Sequence, residues 1–224
     1  MQSIKKPLLG LVSIFFIAGA SMANAQVRVT EVAPWASGNA PYASDWFELT
    51  NFGSSAVSIA GWKMDDSSAS FASAVALAGI TSIAAGESVI FAEKSVSASF
   101  LSTWFGTASP SLQFGTYVGS GVGLSTDGDA VNIYNASGVL QASVSFGVAD
   151  GSTPYQSFDN RAGLDNTTIS QLSVAGVNGA FVALNDASEI GSPGSIAAVP
   201  EPTNIAMLLA GLGLMGVIVR KRAV

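Results

Sequence analysis

The stretch that decides the fold is Asp45–Asn51, DWFELTN, in which apolar and polar side chains alternate. Alternation with a period of two is typical of a β-strand with one face toward a hydrophobic core. The pattern places Phe47 and Leu49 on the core face. The opposite face would carry the side chains of Trp46, Glu48 and Thr50. A strand of this kind needs partners, and the rest of the chain offers them.

Short segments with similar patterns recur along the chain, separated by Gly, Ser, Asn and Asp. The clearest pair, 131–134 and 140–146, flanks the turn residues Asn135–Gly138 and predicts a β-hairpin. Ser88–Ala92 is apolar after its first residue and predicts a strand buried on both faces. Further predicted strands contain Val27 and Val29, Val57 and Ile59 after the turn Gly53–Ser55, Thr167–Leu172, and Ala180–Leu184 before the terminating turn Gly191–Gly194. Many short strands with turn residues between them predict an all-β fold, and we prefer a sandwich to a barrel.

Evidence for helices is sparse between the two ends of the chain. Ser97–Phe105 (SASFLSTWF) is a candidate for one short helix, although serines and aromatic residues are poor helix formers. After Asp150 the alternation weakens into a polar, glycine-containing stretch, so the late strands are harder to place.

The N-terminus has the features of a secretory signal peptide. Lys5 and Lys6 precede the apolar run Leu8–Ala20, and small residues follow at Ala23 and Ala25. This order predicts that a signal peptidase removes residues 1–25 before Gln26. A retained membrane anchor is the alternative, but the apolar run is short for a membrane span.

The C-terminus has a different apolar segment. Thr203–Val219 lacks ionisable side chains, and as a helix it would be about 25 Å long, close to the thickness of a bilayer core. The basic residues after it are Arg220, Lys221 and Arg222, which would hold the end of the chain in the cytoplasm. A buried soluble helix would show a polar stripe, and none is present. Glycines 211, 213 and 216 spell G-x-G-x-x-G, but no strand–turn–helix context for a dinucleotide site surrounds them.

The tail resembles the PEP-CTERM sorting signal of Gram-negative bacteria that make extracellular polysaccharide. The resemblance rests on Pro200, Glu201 and Pro202, followed by the apolar segment and the basic cluster. It implies that the membrane protease exosortase recognises the tripeptide and removes the tail, and that the inner membrane holds the precursor only transiently. The protein would then be released to the cell surface or the extracellular matrix.

The predicted domain organisation is therefore a signal peptide at residues 1–25, a β-sandwich at 26–196 and a sorting signal at 197–224. Residues 26–199 contain four basic and 14 acidic residues, a net charge of −10. Such a surface repels phosphate backbones, so nucleic acid is not an expected partner. The chain contains neither histidine nor cysteine, which removes Ser-His-Asp and Cys-His catalysis and the usual zinc ligands. We expect no cofactor.

The strand order also resembles the lamin tail domain, an immunoglobulin-like β-sandwich that occurs in nuclear lamins and in secreted bacterial proteins. The residues that carry the resemblance are Val29–Pro34, Asp45–Asn51, Val57–Asp65, Ile83–Phe91, Leu124–Tyr134 and Gly191–Gly194. This resemblance implies an immunoglobulin-like fold, and in bacteria the domain often accompanies enzymes as an accessory module. It says little about activity.

Acidic pairs are the remaining candidates for chemistry, and they are Asp45 with Glu48, Asp65 with Asp66, and Asp127 with Asp129. A glycosidase would need two carboxylates facing one cleft at a defined separation. Turn formation is the simpler interpretation for the second and third pairs, because aspartate in a turn accepts bonds from its own backbone. Asp127 and Asp129 are also weak calcium candidates, although their spacing fits no EF-hand loop.

Aromatic side chains present a similar choice. Trp46, Trp62 and Trp104 have apolar neighbours and are expected in the core. Trp35 and Tyr42 flank the loop ASGNAP, and we consider them candidate ligand-binding residues on an exposed surface. Packing against the end of the sandwich is the favoured alternative for both.

The leading functional hypothesis is a non-catalytic protein of the cell surface or matrix, associated with exopolysaccharide. Its expected partners are signal peptidase, exosortase, the inner membrane and the polysaccharide. The alternatives are a carboxylate-dependent polysaccharide hydrolase and a permanently anchored protein whose tail is not removed.

Overall fold

The structure is a computed structural model, and it describes residues 27–108, 110–119, 121–149, 151–161 and 167–195. The described residues form two helices and a series of short strands. In chain order the elements are β1 (Val27–Ala33), α1 (Ala36–Asn39), β2 (Trp46–Asn51), β3 (Val57–Ser58), β4 (Lys63–Asp65), β5 (Val75–Ala78), β6 (Ser82–Ile83), β7 (Ser88–Ala92), α2 (Ser97–Phe105), β8 (Phe114–Tyr117), β9 (Asp129–Tyr134), β10 (Leu140–Phe146), β11 (Tyr155–Gln156), β12 (Phe158–Asp159), β13 (Thr168–Ile169), β14 (Phe181–Ala183) and β15 (Asp186–Gly191).

Most strands belong to one sheet with the order β12-β1-β2-β7-β8-β5-β4-β9-β10-β13. The sheet folds over itself, so that β1 packs against β10 and the rings of Phe146 and Phe158 lie 5.3 Å apart. An isolated bridge pairs Phe158, in β12 at one end of the sheet, with Leu172, three residues after β13 at the other end. Strands β11, β15 and β14 form a three-stranded sheet, and β3 pairs with β6. The predicted all-β sandwich is confirmed.

Strand β2 contains most of the DWFELTN stretch and lies between β1 and β7 in the large sheet. All of its residues are buried, including the three that alternation places away from the core. The face opposite Phe47 and Leu49 is therefore covered as well. Helix α2 covers part of that side, since the Trp46 ring packs edge-on against Phe100 and Trp104. The late segment of the chain covers the rest.

The other clear patterns fold as expected. Strand β7 is buried along its whole length and pairs with β2 on one side and with β8 on the other. Strands β9 and β10 form the predicted hairpin, with an irregular register between Leu140 and Ala142. Helix α2 confirms the predicted helix at Ser97–Phe105, and it packs through Phe100 and Trp104 into the core. Helix α1, in the loop ASGNAP, was not expected.

The chain after residue 150 contains more regular structure than its sequence indicates. Strands β13 and β14 lie inside the two predicted late strands, whereas β11, β12 and β15 were not predicted. Strand β15 runs into the turn predicted at Gly191–Gly194. It pairs in parallel with β11 and antiparallel with β14, which places that turn beside the first two strands of the fold.

Several predicted features lie outside the described residues. They are the signal cleavage residues Ala23, Ala25 and Gln26, the sorting motif Pro200, Glu201 and Pro202, the apolar segment 203–219, and the basic residues Arg220, Lys221 and Arg222. Within the described ranges, neither helix is long and apolar enough to cross a bilayer.

Candidate functional site

Two glutamates face each other inside the sandwich. Glu31 on β1 and Glu48 on β2 are register partners, and both are fully buried. A carboxylate taken out of water is costly unless it is neutral, or paired and hydrogen-bonded. The partners of the two carboxylates therefore decide whether the pair is compensated in the protein interior.

Arg161 supplies the opposite charge. Its Nη2 atom donates a short hydrogen bond to Oε1 of Glu48 and lies 3.9 Å from Oε2 of Glu31. The guanidinium also donates from Nη1 to the carbonyl of Ser192 at 2.7 Å, and its side chain is only 2% exposed. Removing one partner from a buried ion pair typically costs about 3–5 kcal/mol, because it leaves an uncompensated charge.

Backbone amides of the turn Gly191–Gly194 complete the network. The N–H of Ser192 donates to Oε1 of Glu31 at 2.7 Å, and the N–H of Gly194 donates to Oε2 of Glu48 at 2.6 Å. We call this group the clasp, and its members are Glu31, Glu48, Arg161, Ser192 and Gly194. The clasp fastens the end of the described domain to its first two strands.

Glycine is required at the start of this turn. A Cβ atom on Gly191 would lie 2.7 Å from Oε1 of Glu31 and 2.8 Å from the Trp104 ring. Both distances are shorter than real Cβ contacts, so a larger residue would displace the carboxylate or the indole. Gly194 has a φ angle of +73°, a region that favours glycine.

The two charge types of the clasp respond differently to burial. Burial raises the pKa of Glu31 to about 7, Arg161 opposes this shift, and Glu48 adds to it. Burial acts to lower the pKa of Arg161, but Glu48 and Glu31 outweigh it, so its pKa is raised overall. The guanidinium therefore stays charged, whereas burial makes the charged form of Glu31 less favourable.

Hydroxyl groups extend the clasp through the protein interior. Thr30 Oγ1 donates to Glu48 and lies 2.9 Å from Thr50 Oγ1, which is 2.6 Å from Ser88 Oγ. Ser157 Oγ donates to Glu31 and lies 2.7 Å from Ser173 Oγ. These bonds satisfy polar groups that would otherwise be buried without partners.

The predicted pairing of Asp45 with Glu48 is wrong, because the two side chains enter separate networks. Asp45 accepts a hydrogen bond of 2.6 Å from the backbone N–H of Ser37, at the start of α1. Burial raises the pKa of Asp45 to about 7, the bond from Ser37 opposes the shift, and Glu93 adds to it. The carboxylate that faces Glu48 is Glu31, which the sequence did not single out as a partner.

The second acidic pair, Asp65 and Asp66, has the role expected of turn residues. Asp65 accepts bonds from Ser70 N at 2.6 Å and from the hydroxyls of Ser68 and Ser73 at 2.7 and 3.0 Å. Asp66 accepts a bond of 3.0 Å from Ser68 N. Both carboxylates therefore organise the loop between β4 and β5.

The weak calcium candidates lie at the start of β9: Asp127 is in the turn before the strand and Asp129 is its first residue. Asp129 accepts backbone bonds from Ser67, Ser125 and Ala130 at 2.8–2.9 Å, which occupy both of its oxygens. Asp127 lies in the turn itself and is exposed. No group of three potential ligand residues that could hold a metal ion occurs in the part of the chain that the structure describes.

Trp35 and Tyr42 do not form the exposed surface considered for ligand binding. Their relative exposures are 1% and 3%, so that expectation is wrong. Trp35 stacks on Tyr155 and donates from Nε1 to the carbonyl of Gln156 at 2.9 Å. The late strands return over this end of the sandwich and cover both rings, in agreement with the alternative of packing.

The Tyr42 hydroxyl is the centre of a second buried network. It donates to Glu189 Oε2 at 2.9 Å and accepts bonds from the indole N–H groups of Trp46 and Trp104 at 3.1 and 3.3 Å. Burial raises the pKa of Glu189 to about 8, the bond from Tyr42 opposes the shift, and Asp186 adds to it. Trp46 and Trp104 are fully buried and Trp62 is nearly so, which confirms their predicted core positions.

Two surface clefts accompany these networks. One, of about 220 Å³, lies between the end of α2 and the turn at Pro193, with Glu87 as its acidic residue. The other, of about 480 Å³, is open and is lined by Thr153, Pro154 and residues 187, 188 and 190. Neither cleft brings together two carboxylates from the described residues. The buried pair Glu31 and Glu48 lines neither of them.

Comparison with known families gives two matches. Residues 198–223 match the PEP-CTERM protein-sorting motif, which implies export to the cell surface and processing by exosortase. Residues 20–147 match the Lamin Tail Domain, which is more than half of the chain and agrees with the immunoglobulin-like sandwich. The second match ends before Arg161 and the turn that complete the clasp. Comparison with curated proteins gave no match. The chain belongs to the lamin tail domain family.

Proposed function

We propose that this protein is a non-catalytic structural component of the cell surface, associated with the extracellular polysaccharide of the producing bacterium. Its signal peptide directs export, and its C-terminal tail holds the precursor in the inner membrane until exosortase removes it. The mature sandwich then remains in or on the polysaccharide layer.

The observation that supports this proposal is the bonding of the facing carboxylates Glu31 and Glu48 within the protein interior. Glu31 and Glu48 are held by Arg161 and by backbone amides, and both are fully buried. Catalytic carboxylates must reach the scissile bond, and a glycosidase needs two of them at one cleft. The burial and bonding of this pair support a structural role.

Charge and sorting support the location. The acidic exported part is soluble and repels other polyanions, so a polysaccharide partner would have to be neutral or bridged by cations. The sorting motif supplies the route to the surface.

Co-sedimentation tests the association directly. Protein recovered from the surface of producing cells is mixed with that strain's purified polysaccharide, with dextran as the control polymer. The proposal predicts sedimentation with the strain's own polymer and no release of reducing sugar. Equal recovery with both polymers would contradict association, and release of reducing sugar would favour the hydrolase.

A further inference from the structure

The last described residue before the sorting signal, Ser195, lies at the smaller cleft. The cleft is lined by Glu87, Ser88, Phe105, Pro110, Ser111, Leu112, Pro193, Gly194 and Ser195. Most of these side chains are apolar or small. Ser195 therefore lies at a largely uncharged surface.

The one charged group among the described lining residues is already engaged. Glu87 accepts a bond of 2.6 Å from the backbone N–H of Ala84 and one of 2.8 Å from Nε2 of Gln113. Both oxygens of this carboxylate already accept charge-assisted hydrogen bonds within the protein. The cleft is therefore not an ionic binding site on account of Glu87.

Leu184 is a further apolar residue near this cleft, and its side chain is 68% exposed. Leu184 lies beside Gly106, the residue that follows α2. A Cβ atom built on Gly106 would be 3.6 Å from Leu184 Cδ1. On the other side of the cleft, a Cβ atom on Gly194 would be 3.2 Å from Leu112 Cδ1. We call this surface the exit face. Its exposed members are Pro110 and Leu184, and its half-buried members are Phe105 and Leu112.

The length of chain after Ser195 limits how far this face can be from the membrane. Eight peptide units connect Ser195 to Thr203, the first residue of the apolar segment, and fully extended they span at most about 29 Å. An uncut tail would therefore keep the exit face close to the lipid surface. Exposed apolar side chains are stabilised when they enter the boundary between headgroups and acyl chains. The acidic remainder of the domain gains no such stabilisation.

We infer that the exit face rests on the lipid bilayer in the uncut precursor and leaves it when the tail is removed. This inference depends on the proposed function, because it requires the tail to be held in the membrane. The bilayer is favoured over a protein partner because the predicted membrane segment begins eight residues after Ser195, and the described residues of the face carry no charge.

The absence of cysteine makes the test simple, because a single introduced thiol is the only one in the chain. Full-length precursor carrying Leu184→Cys is purified from cells that lack exosortase, labelled with an environment-sensitive fluorophore, and reconstituted into phosphatidylcholine vesicles containing a nitroxide-headgroup lipid. The matched control is Val139→Cys, since Val139 is 56% exposed and lies at the β9–β10 turn. Both sites are exposed aliphatic positions.

The inference predicts that the nitroxide lipid quenches the label at position 184 at least about twofold more than at 139, and that proteolytic removal of the tail abolishes the difference. Equal quenching at both positions in a vesicle-bound precursor would overturn the exit face and leave the proposed function standing. Precursor that does not associate with vesicles would overturn both. A label at 184 that is shielded in native membranes but not quenched by lipid would indicate a protein partner instead.

Discussion

The backbone N–H of Gly194 lies 2.6 Å from Oε2 of Glu48, so the end of the described domain is bonded to the second strand of its sheet. This contact joins residues that are 146 positions apart in the sequence. The clasp therefore closes only when the whole exported domain is available.

Replacing Arg161 by methionine should destabilise the domain by about 3–5 kcal/mol, because Glu31 and Glu48 would lose their only described cation. Urea denaturation at neutral pH measures the free energy of unfolding. Arg28→Met is the matched control, since Arg28 is half-buried and its guanidinium lies 5.7 Å from the Phe52 ring centroid. Its loss should cost about 1 kcal/mol or less. Similar losses in the two variants would contradict a central role for the clasp.

Gly191→Ala should cost about 1–3 kcal/mol, because the new Cβ would overlap Glu31 and Trp104. Thermal unfolding followed by circular dichroism measures the loss. Gly147→Ala is the control, since a Cβ atom at Gly147 would have no neighbour within 4 Å. If the two alanine variants melted at the same temperature, the tight packing described for Gly191 would be incorrect.

Stability should fall as pH rises from about 4.5 to about 8. Burial raises the pKa of Glu189 to about 8 and that of Glu31 to about 7, so the folded state holds protons that the unfolded state releases near pH 4.5. A group with a raised pKa contributes stability below its unfolded pKa and loses it as pH passes the folded value. Urea denaturation at several pH values measures this slope.

Glu189→Gln should flatten the pH dependence, because glutamine stays neutral while keeping an oxygen that can accept from Tyr42. Asp127→Asn removes the same charge from an exposed turn and should leave the slope near that of the natural protein. An unchanged slope in Glu189→Gln would show that Glu189 does not titrate in this range.

The tryptophans should all behave as buried residues. Trp35, Trp46 and Trp104 are at most 1% exposed and Trp62 is 6% exposed, so emission should be blue-shifted and poorly quenched by iodide. Addition of polysaccharide should leave the emission unchanged, because Trp35 is covered by the late strands. Efficient iodide quenching in the native state would show that this end of the sandwich is open.

Local patterns were sufficient to predict the strands whose alternation is regular. DWFELTN, SVIFA and the hairpin at 131–146 all form strands as expected. The burial of Glu48 was not predictable from alternation, because its partner Arg161 lies 113 residues away. A period-two pattern predicts the conformation of a single strand. It does not predict which distant segment of the chain will pack on the second face of that strand.

The amino-acid sequence nevertheless contains one indication of the clasp. Arg161 is one of only four basic residues between positions 26 and 199, and it lies in the polar stretch where strands were hardest to place. The turn GSPG was recognised as a terminator, but its backbone donors are visible only in three dimensions. The local sequence leaves the exposure of Trp35 and Tyr42 open for the same reason, since the strands that cover them begin more than a hundred residues later.

The central claim is that this lamin tail domain is exported as a membrane-held precursor and left at the surface after its tail is removed. The most direct test is the intact mass of the protein recovered from the cell surface, in producing cells and in cells that lack exosortase. The account predicts that the surface form begins at Gln26 and lacks the segment 203–224, and that the tail is retained when exosortase is absent. A surface form that still contains Arg220–Val224 in producing cells would contradict it.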